Sequence, residues 1–221
     1  MLSDLDVQIL ISRLRFVRQE GNYLVFFCPF HDDKNTPNFK VHRQRGIYRC
    51  FACGQYGSVK RLLHDLAPDL YPLSPDEAAI YERLHILEDY YQTKGYVDEE
   101  ILNDIQSRRG LSREVLEKSE VRFFPEGDRA SPPSDDLPHF YRRFVFPVRS
   151  FNRKVLNFIG WSPYLRPRYY LPPAIPAKPY GLSQVSRNET VYICEGVFDA
   201  LSFWDIGMAA VGVLGNAVPA T

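Results

Sequence analysis

Four side chains constrain the front of this chain more than any other feature: Cys28, His31, Cys50 and Cys53 stand in the spacing C-x2-H-x18-C-x2-C and use three of its four cysteines. Each two-residue gap sets a pair of donors on one tight turn. Two such turns brought together make a closed tetrahedral set of sulfur and nitrogen, the pattern of a structural Zn2+ site with no open position for a catalytic water. The competing reading, disulfides or free core thiols, leaves Cys194 as an odd cysteine. No secretory segment is read ahead of the ligands, so a reducing, cytoplasmic location is expected.

A length of 221 residues with 45% hydrophobic content suits one large or two modest domains with a real core. The longest apolar run, around Ala209 to Leu214, is strand-sized, so no membrane span is expected. The formal net charge of zero is an average over zones. Residues 1–64 carry ten Lys and Arg against five Asp and Glu, residues 65–120 six against fourteen, and residues 121–190 eleven against five. Two basic segments flanking an acidic one fit a polyanion partner, with the acids of the middle read mainly as solvated helix faces.

The pattern predicts a helix over Leu5 to Leu14 capped by Ser3, strands at Tyr23 to Phe27, Phe39 to His42 and Ile47 to Cys50, and a helix capped by Ser58 that ends near Leu66. Pro68, Pro72 and Pro75 mark a linker. Helices are expected from Asp76 to Lys94, from Asp98 to Arg109 before Gly110, and after Ser112. Glu126 to Pro138, rich in Pro, Ser and Asp, reads as a mobile surface loop without function. Phe144 to Arg149 and Val155 to Trp161 read as a hairpin with Asn152-Arg153 near its turn, and Val191 to Cys194 as a short buried strand. Cys194 is expected to be a packing residue.

Val-Tyr-Ile-Cys-Glu-Gly-Val-Phe-Asp-Ala, residues 191–200, puts Glu195 just past the carboxyl end of that strand, where open α/β sheets place ligands. Gly196 permits a tight turn, and Asp199 lies near the start of a helix from Phe198 to Ile206. Val211 to Leu214, ending in Gly215, supplies a second strand, so the unit is a parallel βαβ. By itself Glu-Gly-x-x-Asp is a weak signal, equally served by a helix-capping carboxylate. Of the five histidines only His31 has ligand spacing, and no Ser-His-Asp or Cys-His nucleophile arrangement is present.

Together the two constellations resemble the bacterial replicative primase family of the DnaG type. The resemblance rests on Cys-Pro-Phe-His (28–31), Lys34, Thr36-Pro37, Phe39, Tyr48, Cys-Phe-Ala-Cys-Gly (50–54) and Gly57, on Ser107-Arg-Arg-Gly-Leu-Ser112, on Arg143-Phe-Val-Phe-Pro-Val148, and on Glu195-Gly196 with Asp199 and Leu214-Gly215. Departures include Asn35, inserted in the ribbon loop, Tyr141 where a basic residue is common, and Trp161 where an arginine often sits.

The resemblance implies an α+β chain: a zinc-ribbon template-binding domain at 1–66, a linker at 67–77, the amino-terminal subdomain of an RNA polymerase core at 78–190, and at 191–221 the start of a toprim domain, left incomplete because the chain stops ahead of that domain's Asp-x-Asp. It implies a DNA primase that makes short RNA primers from ribonucleoside triphosphates on single-stranded DNA, with a replicative helicase as partner and with this stretch inactive alone. Glu195 and Asp199 would contribute to a catalytic Mg2+ or Mn2+ site. Lys34, Lys40, Arg49, Arg143, Arg168 and Lys178 would contact nucleic acid, with Phe39, Tyr48 and Phe51 as stacking platforms. Two alternatives stay open: a non-catalytic, zinc-dependent single-strand binder derived from a primase, and another toprim enzyme, which the amino-terminal ribbon argues against.

Overall fold

The computed structural model describes residues 1–150, 153–173, 175–186 and 189–214, and the chain divides into two compact units, Met1–Ala78 and Ala79–Thr221. In the first unit, α1 (Asp4–Arg13) opens on the Ser3 cap: Ser3 Oγ accepts from Asp6 N at 3.2 Å, and the Asp6 carboxylate accepts from Ser3 N at 2.6 Å. This reciprocal box satisfies two amides that the helix leaves unpaired. Five strands follow as an antiparallel meander in sequence order: β1 (Phe16–Glu20), β2 (Tyr23–Phe26), β3 (Phe39–His42), β4 (Ile47–Cys50) and β5 (Tyr56–Ser58). α2 (Val59–Leu66) begins after Ser58, but that hydroxyl makes no cap hydrogen bond.

β1 and β5 are additions to the expected elements. β1 is exposed along nearly its whole length and has no apolar alternation to announce it, while β5 is Tyr-Gly-Ser, a composition that reads as punctuation. One face of the sheet, carrying Leu24, Phe26, Phe39, Val41, Tyr48 and Cys50, packs with Leu10 of α1 and Val59, Leu62 and Leu63 of α2.

α3 (Pro75–Thr93) starts inside the stretch read as linker. Its entry is Ser74-Pro-Asp-Glu77: Ser74 Oγ accepts from Glu77 N at 3.3 Å and the Glu77 carboxylate accepts from Ser74 N at 3.0 Å, with Pro75 at the first helical position. That is a capping box with a pre-set proline, so Pro75 opens a helix. α4 (Glu99–Arg109) is capped by Asp98, whose Oδ1 accepts from Ile101 N at 2.9 Å, and ends at Gly110 with φ +67°, the left-handed conformation glycine adopts without strain. α5 (Arg113–Lys118) follows Ser112, also as expected.

In the second unit, β6 (Arg122–Phe124), α6 (Leu137–Phe140), β7 (Arg143–Arg149), β8 (Val155–Trp161) and β9 (Tyr169–Tyr170) give a four-stranded antiparallel sheet in the order β6-β7-β8-β9. Six of the seven β7 residues are buried, because both faces of the sheet are covered. Phe144, Phe146 and Val148 share a core with α4, α5 and the last helix, while Val145 packs with Leu87 and Tyr91 of α3. The hairpin turn at Asn152 lies outside the described residues.

The βαβ unit is present as β10 (Tyr192–Cys194), α7 (Val197–Asp205) and β11 (Ala210–Gly212), with the strands parallel and Cys194 opposite Gly212. Gly215, expected to end the second strand, lies outside the described residues. The strand expected to be buried is not: Tyr192 is 38% and Ile193 69% exposed, because β11 is the only strand paired with β10 among the described residues. Cys194 does pack against the shared core.

The segment read as a surface loop is anchored at its end. Asp136, 1% exposed, accepts from Arg83 Nε and Nη2 at 2.8 and 2.7 Å and from Tyr170 Oη at 2.9 Å. Composition signals the loop but not the buried carboxylate, whose partners lie 53 and 34 residues away. Asp136→Ala is expected to cost about 2–3 kcal/mol, less than a fully buried pair because Arg83 keeps some solvent. The readout is a lower urea midpoint for the second unit at unchanged slope; a midpoint equal to the parent's would show the cluster to be ornamental.

Candidate zinc site, acidic loop and nucleic-acid face

The ligand atoms of Cys28, His31, Cys50 and Cys53 all lie within 4.8 Å of one another. Cys28 Sγ is 3.8 Å from Cys53 Sγ, and His31 Nδ1 is 3.9 Å from Cys50 Sγ. A Zn2+ ion about 2.3 Å from each sulfur at tetrahedral angles sets its ligands about 3.8 Å apart, so the donor set fits the ion. Each turn also aims an amide at a sulfur: Phe30 N to Cys28 at 3.4 Å and Cys53 N to Cys50 at 3.5 Å. Burial, and then the neighbouring Cys50 and Cys53 sulfurs, push the Cys28 thiol up to about 12; the charge of a metal ion is what makes a thiolate favourable there.

Strand register sorts the residues around this centre. Arg18, Val25, Lys40, Arg49 and Tyr56 align in one row across the five strands, on the face away from α1 and α2. Lys40 pairs with Glu20 at 2.6 Å, and Arg49 Cζ lies 5.6 Å from the centre of the Phe51 ring. Lys34 is exposed and pairs with Asp32 at 2.7 Å. The aromatic expectation needs correction. Phe39 and Tyr48 are buried, because strand alternation puts them on the Cys50 side, whereas Phe51 and Tyr56 are about half exposed.

Arg143 is also corrected. It is 4% exposed, its Nε donates to His139 O at 2.6 Å and its Nη1 to Arg168 O at 3.1 Å. Burial lowers its pKa, and its donors serve main-chain carbonyls. The side chains of Arg168 and Lys178 are exposed.

At the second constellation, Glu195 follows β10 and is exposed, with no hydrogen bond or ion pair among the described residues. Asp199 Oδ2 accepts from Gly196 N at 3.0 Å, closing the start of α7 and turning the loop back on itself. Gly212 holds the loop from below: a Cβ there would meet Gly196 O at 2.6 Å. Among the described residues no third acid, His or Cys joins Glu195 and Asp199 in a metal-sized cluster.

A family model described as CHC2 zinc finger matches residues 1–86. The chain is 24% identical to the DNA primase of Legionella pneumophila over 98% of its own length and 46% of the relative's, and 26% identical to that of Salmonella typhimurium over 72% and 36%. It shares the fold of the Aquifex aeolicus primase zinc-binding and RNA polymerase domains, with a TM-score of 0.50 and 21% identity, covering 96% of this chain and 64% of that one. The chain is a relative of the DnaG-type DNA primases. It spans less than half the length of those two curated relatives.

Two residues of this primase relative escape sequence reasoning. Asp33, 8% exposed in the ribbon loop, accepts from Cys28 N at 2.9 Å and Asn38 N at 3.4 Å, so a buried carboxylate holds the first ligand turn in shape. An Asp five residues past a ligand is its only sequence signal. Arg109, the last residue of α4, sits with Cζ 4.0 Å from the Phe198 ring centre and 4.8 Å from that of Trp161. Tyr169 lies near enough to Arg109, Asp199 and Arg168 to feel all three charges, although burial is what chiefly raises the Tyr169 phenol. Helical periodicity cannot reveal a convergence made by four separate elements.

A unit of this size buries a modest core, so its zinc supplies folding free energy. Chelation is expected to unfold the ribbon while α3–α7 persist, seen as loss of amide protection confined to the first unit. Protection unchanged after verified metal removal would contradict this.

Proposed function

We propose that this chain is the template-binding ribbon and the front of the polymerase core of a DNA primase, which makes short RNA primers from ribonucleoside triphosphates on single-stranded DNA. The observation that carries the reading is the cross-strand row of Lys40, Arg49 and Tyr56 with Phe51, basic and aromatic together on the open face of a zinc-clamped sheet. Single strands bind through phosphate contacts to Lys and Arg and base stacking on aromatic rings, the latter worth about 1–3 kcal/mol per base. Lys34 adds a further exposed cation in the ribbon loop, and Arg168 and Lys178 serve the template in the second unit. Zinc holds the face in shape and takes no part in chemistry.

Glu195 and the free oxygen of Asp199 would hold Mg2+ or Mn2+, which supplies neutralisation of charge at a transferring phosphoryl group. The residues do the rest: Gly196 and Gly212 keep the loop tight, and Asp199 fixes its own carboxylate by accepting from Gly196 N. Two acids are fewer than such a site needs, so the reading has the remainder supplied from elsewhere in a longer protein, as the greater length of the relatives allows. The domain division of ribbon at 1–66, linker at 67–77, core subdomain at 78–190 and toprim start at 191–221, a cytoplasmic location and a replicative helicase as partner belong to the same proposal. The scarcity of acids favours one other reading, a single-strand-binding protein without synthesis.

Affinity for single-stranded DNA should fall with salt, and Arg49→Ala should shallow the log–log slope by about 0.7, the share of one phosphate contact. Arg143→Ala should leave the slope alone and lower thermal stability instead, because its donors cap carbonyls. Equal slopes for Arg49→Ala and the parent would mean the row is ordinary solvated surface.

The 221-residue chain should bind template and make no primer. In a protein carrying the whole core, Glu195→Gln should abolish synthesis while single-strand affinity stays within a few-fold. Full synthesis by that variant would overturn the metal assignment, and primer synthesis by the chain alone would overturn the idea that further acids are required.

A further inference from the structure

Arg109 makes no ion pair among the described residues, yet its charge is held in place. Its guanidinium lies over Phe198 and Trp161, and the two rings meet edge to face with centroids 4.7 Å apart at 73°. Tyr169, opposite Trp161 in the strand register, lies near enough to feel the Arg109 charge. An arginine fixed by ring faces keeps its charge unneutralised and its outer donors available, which is how a planar cation is prepared for an anion. Asp199 follows Phe198 directly, so that anion would lie beside the acidic loop.

Trp161 itself carries a cost. It is 2% exposed and its indole Nε1–H has no hydrogen-bond partner among the described residues. A buried donor left unpaired is destabilising, and phenylalanine at this position would avoid the penalty. Tryptophan offers in exchange the strongest ring face for a cation. Phenylalanine would remove the unpaired donor but leave a void in the core, whereas Trp gives Arg109 its strongest ring face.

We propose that Trp161 is a positioning residue that holds the Arg109 guanidinium for a phosphate group bound beside Glu195 and Asp199. This rests on reading the acidic loop as a phosphoryl-transfer site. The phosphate belongs either to a ribonucleoside triphosphate or to the template backbone.

The arginine Nε–Hε resonances followed by NMR test this at Arg109 alone, blind to binding at the ribbon. The Arg109 signal is assigned by its loss in Arg109→Lys and is expected upfield, in the shielding cone of the rings. Magnesium adenosine triphosphate and a short single-stranded oligothymidylate are titrated separately. Saturable movement with the first alone assigns the triphosphate, and with the second alone the template; movement with both means a shared phosphate subsite. For the responding probe, affinity should fall about threefold in Trp161→Phe and about tenfold in Trp161→Leu, in the order of ring-face strength.

Parent affinity in Trp161→Phe, with Trp161→Leu either equal or unfolded, overturns the positioning role and leaves the phosphate subsite intact. An Arg109 signal unmoved by both probes overturns the subsite as well, while template binding by the ribbon is judged separately by its salt slope.

Discussion

Holding three sulfurs and an imidazole within 4.8 Å in a partly buried corner is unfavourable without a cation, and the first unit is organised around that fact. Cys28 lies just past β2, and Cys50 closes β4, so one ion ties together strands that a small core would hold only weakly. Because Cys50 must face inward to the metal and core, strand alternation commits Tyr48 to the same side and Arg49 to the other. Across the pair, Phe39 and Val41 go in and Lys40 goes out. The metal thereby fixes which residues meet solvent as well as whether the sheet folds, and a one-residue slip would bury the cations.

The acidic loop of the second unit is set by packing rather than by pairing. β10 has one strand partner among the described residues, but Val197, Phe198 and Leu201 of α7 are sunk in the core built by α4, α5, β7 and β8. The helix is therefore immobilised from below, and the loop preceding it is squeezed between the Asp199 carboxylate and the bare Cα of Gly212. Precision at a surface carboxylate comes here from a buried helix face and one absent methyl group.

Three arginines show how little residue type alone decides. Arg49 stands on an open strand face, Arg143 is swallowed between carbonyls, and Arg109 rides on two aromatic rings. The difference lies in what surrounds each guanidinium: solvent, main-chain acceptors or π faces. A basic count over a segment cannot tell these apart, although only the first and third keep donors for an external anion.

The sequence by itself determined the zinc ligands, the helices with their Ser3, Asp98, Ser112 and Gly110 boundaries, three of the five ribbon strands, the β7–β8 hairpin and the parallel βαβ unit. Each of these is written in local chemistry: ligand spacing, side-chain periodicity or a cap within four residues of the end it closes. Even Pro75 was legible, through Ser74 and Glu77, once read as a capping box. The tertiary structure alone decided that Tyr48 is core and Tyr56 surface, that Arg143 is buried, that β10 is exposed, that Asp33 and Asp136 are satisfied carboxylates inside, and that Arg109 reaches Trp161 and Phe198. Those outcomes depend on register and on contacts between residues tens of positions apart, such as the 53 that separate Arg83 from Asp136. Local preference carries no information about such distances; burial, hydrogen bonding and ring stacking act only once the chain has brought the partners together.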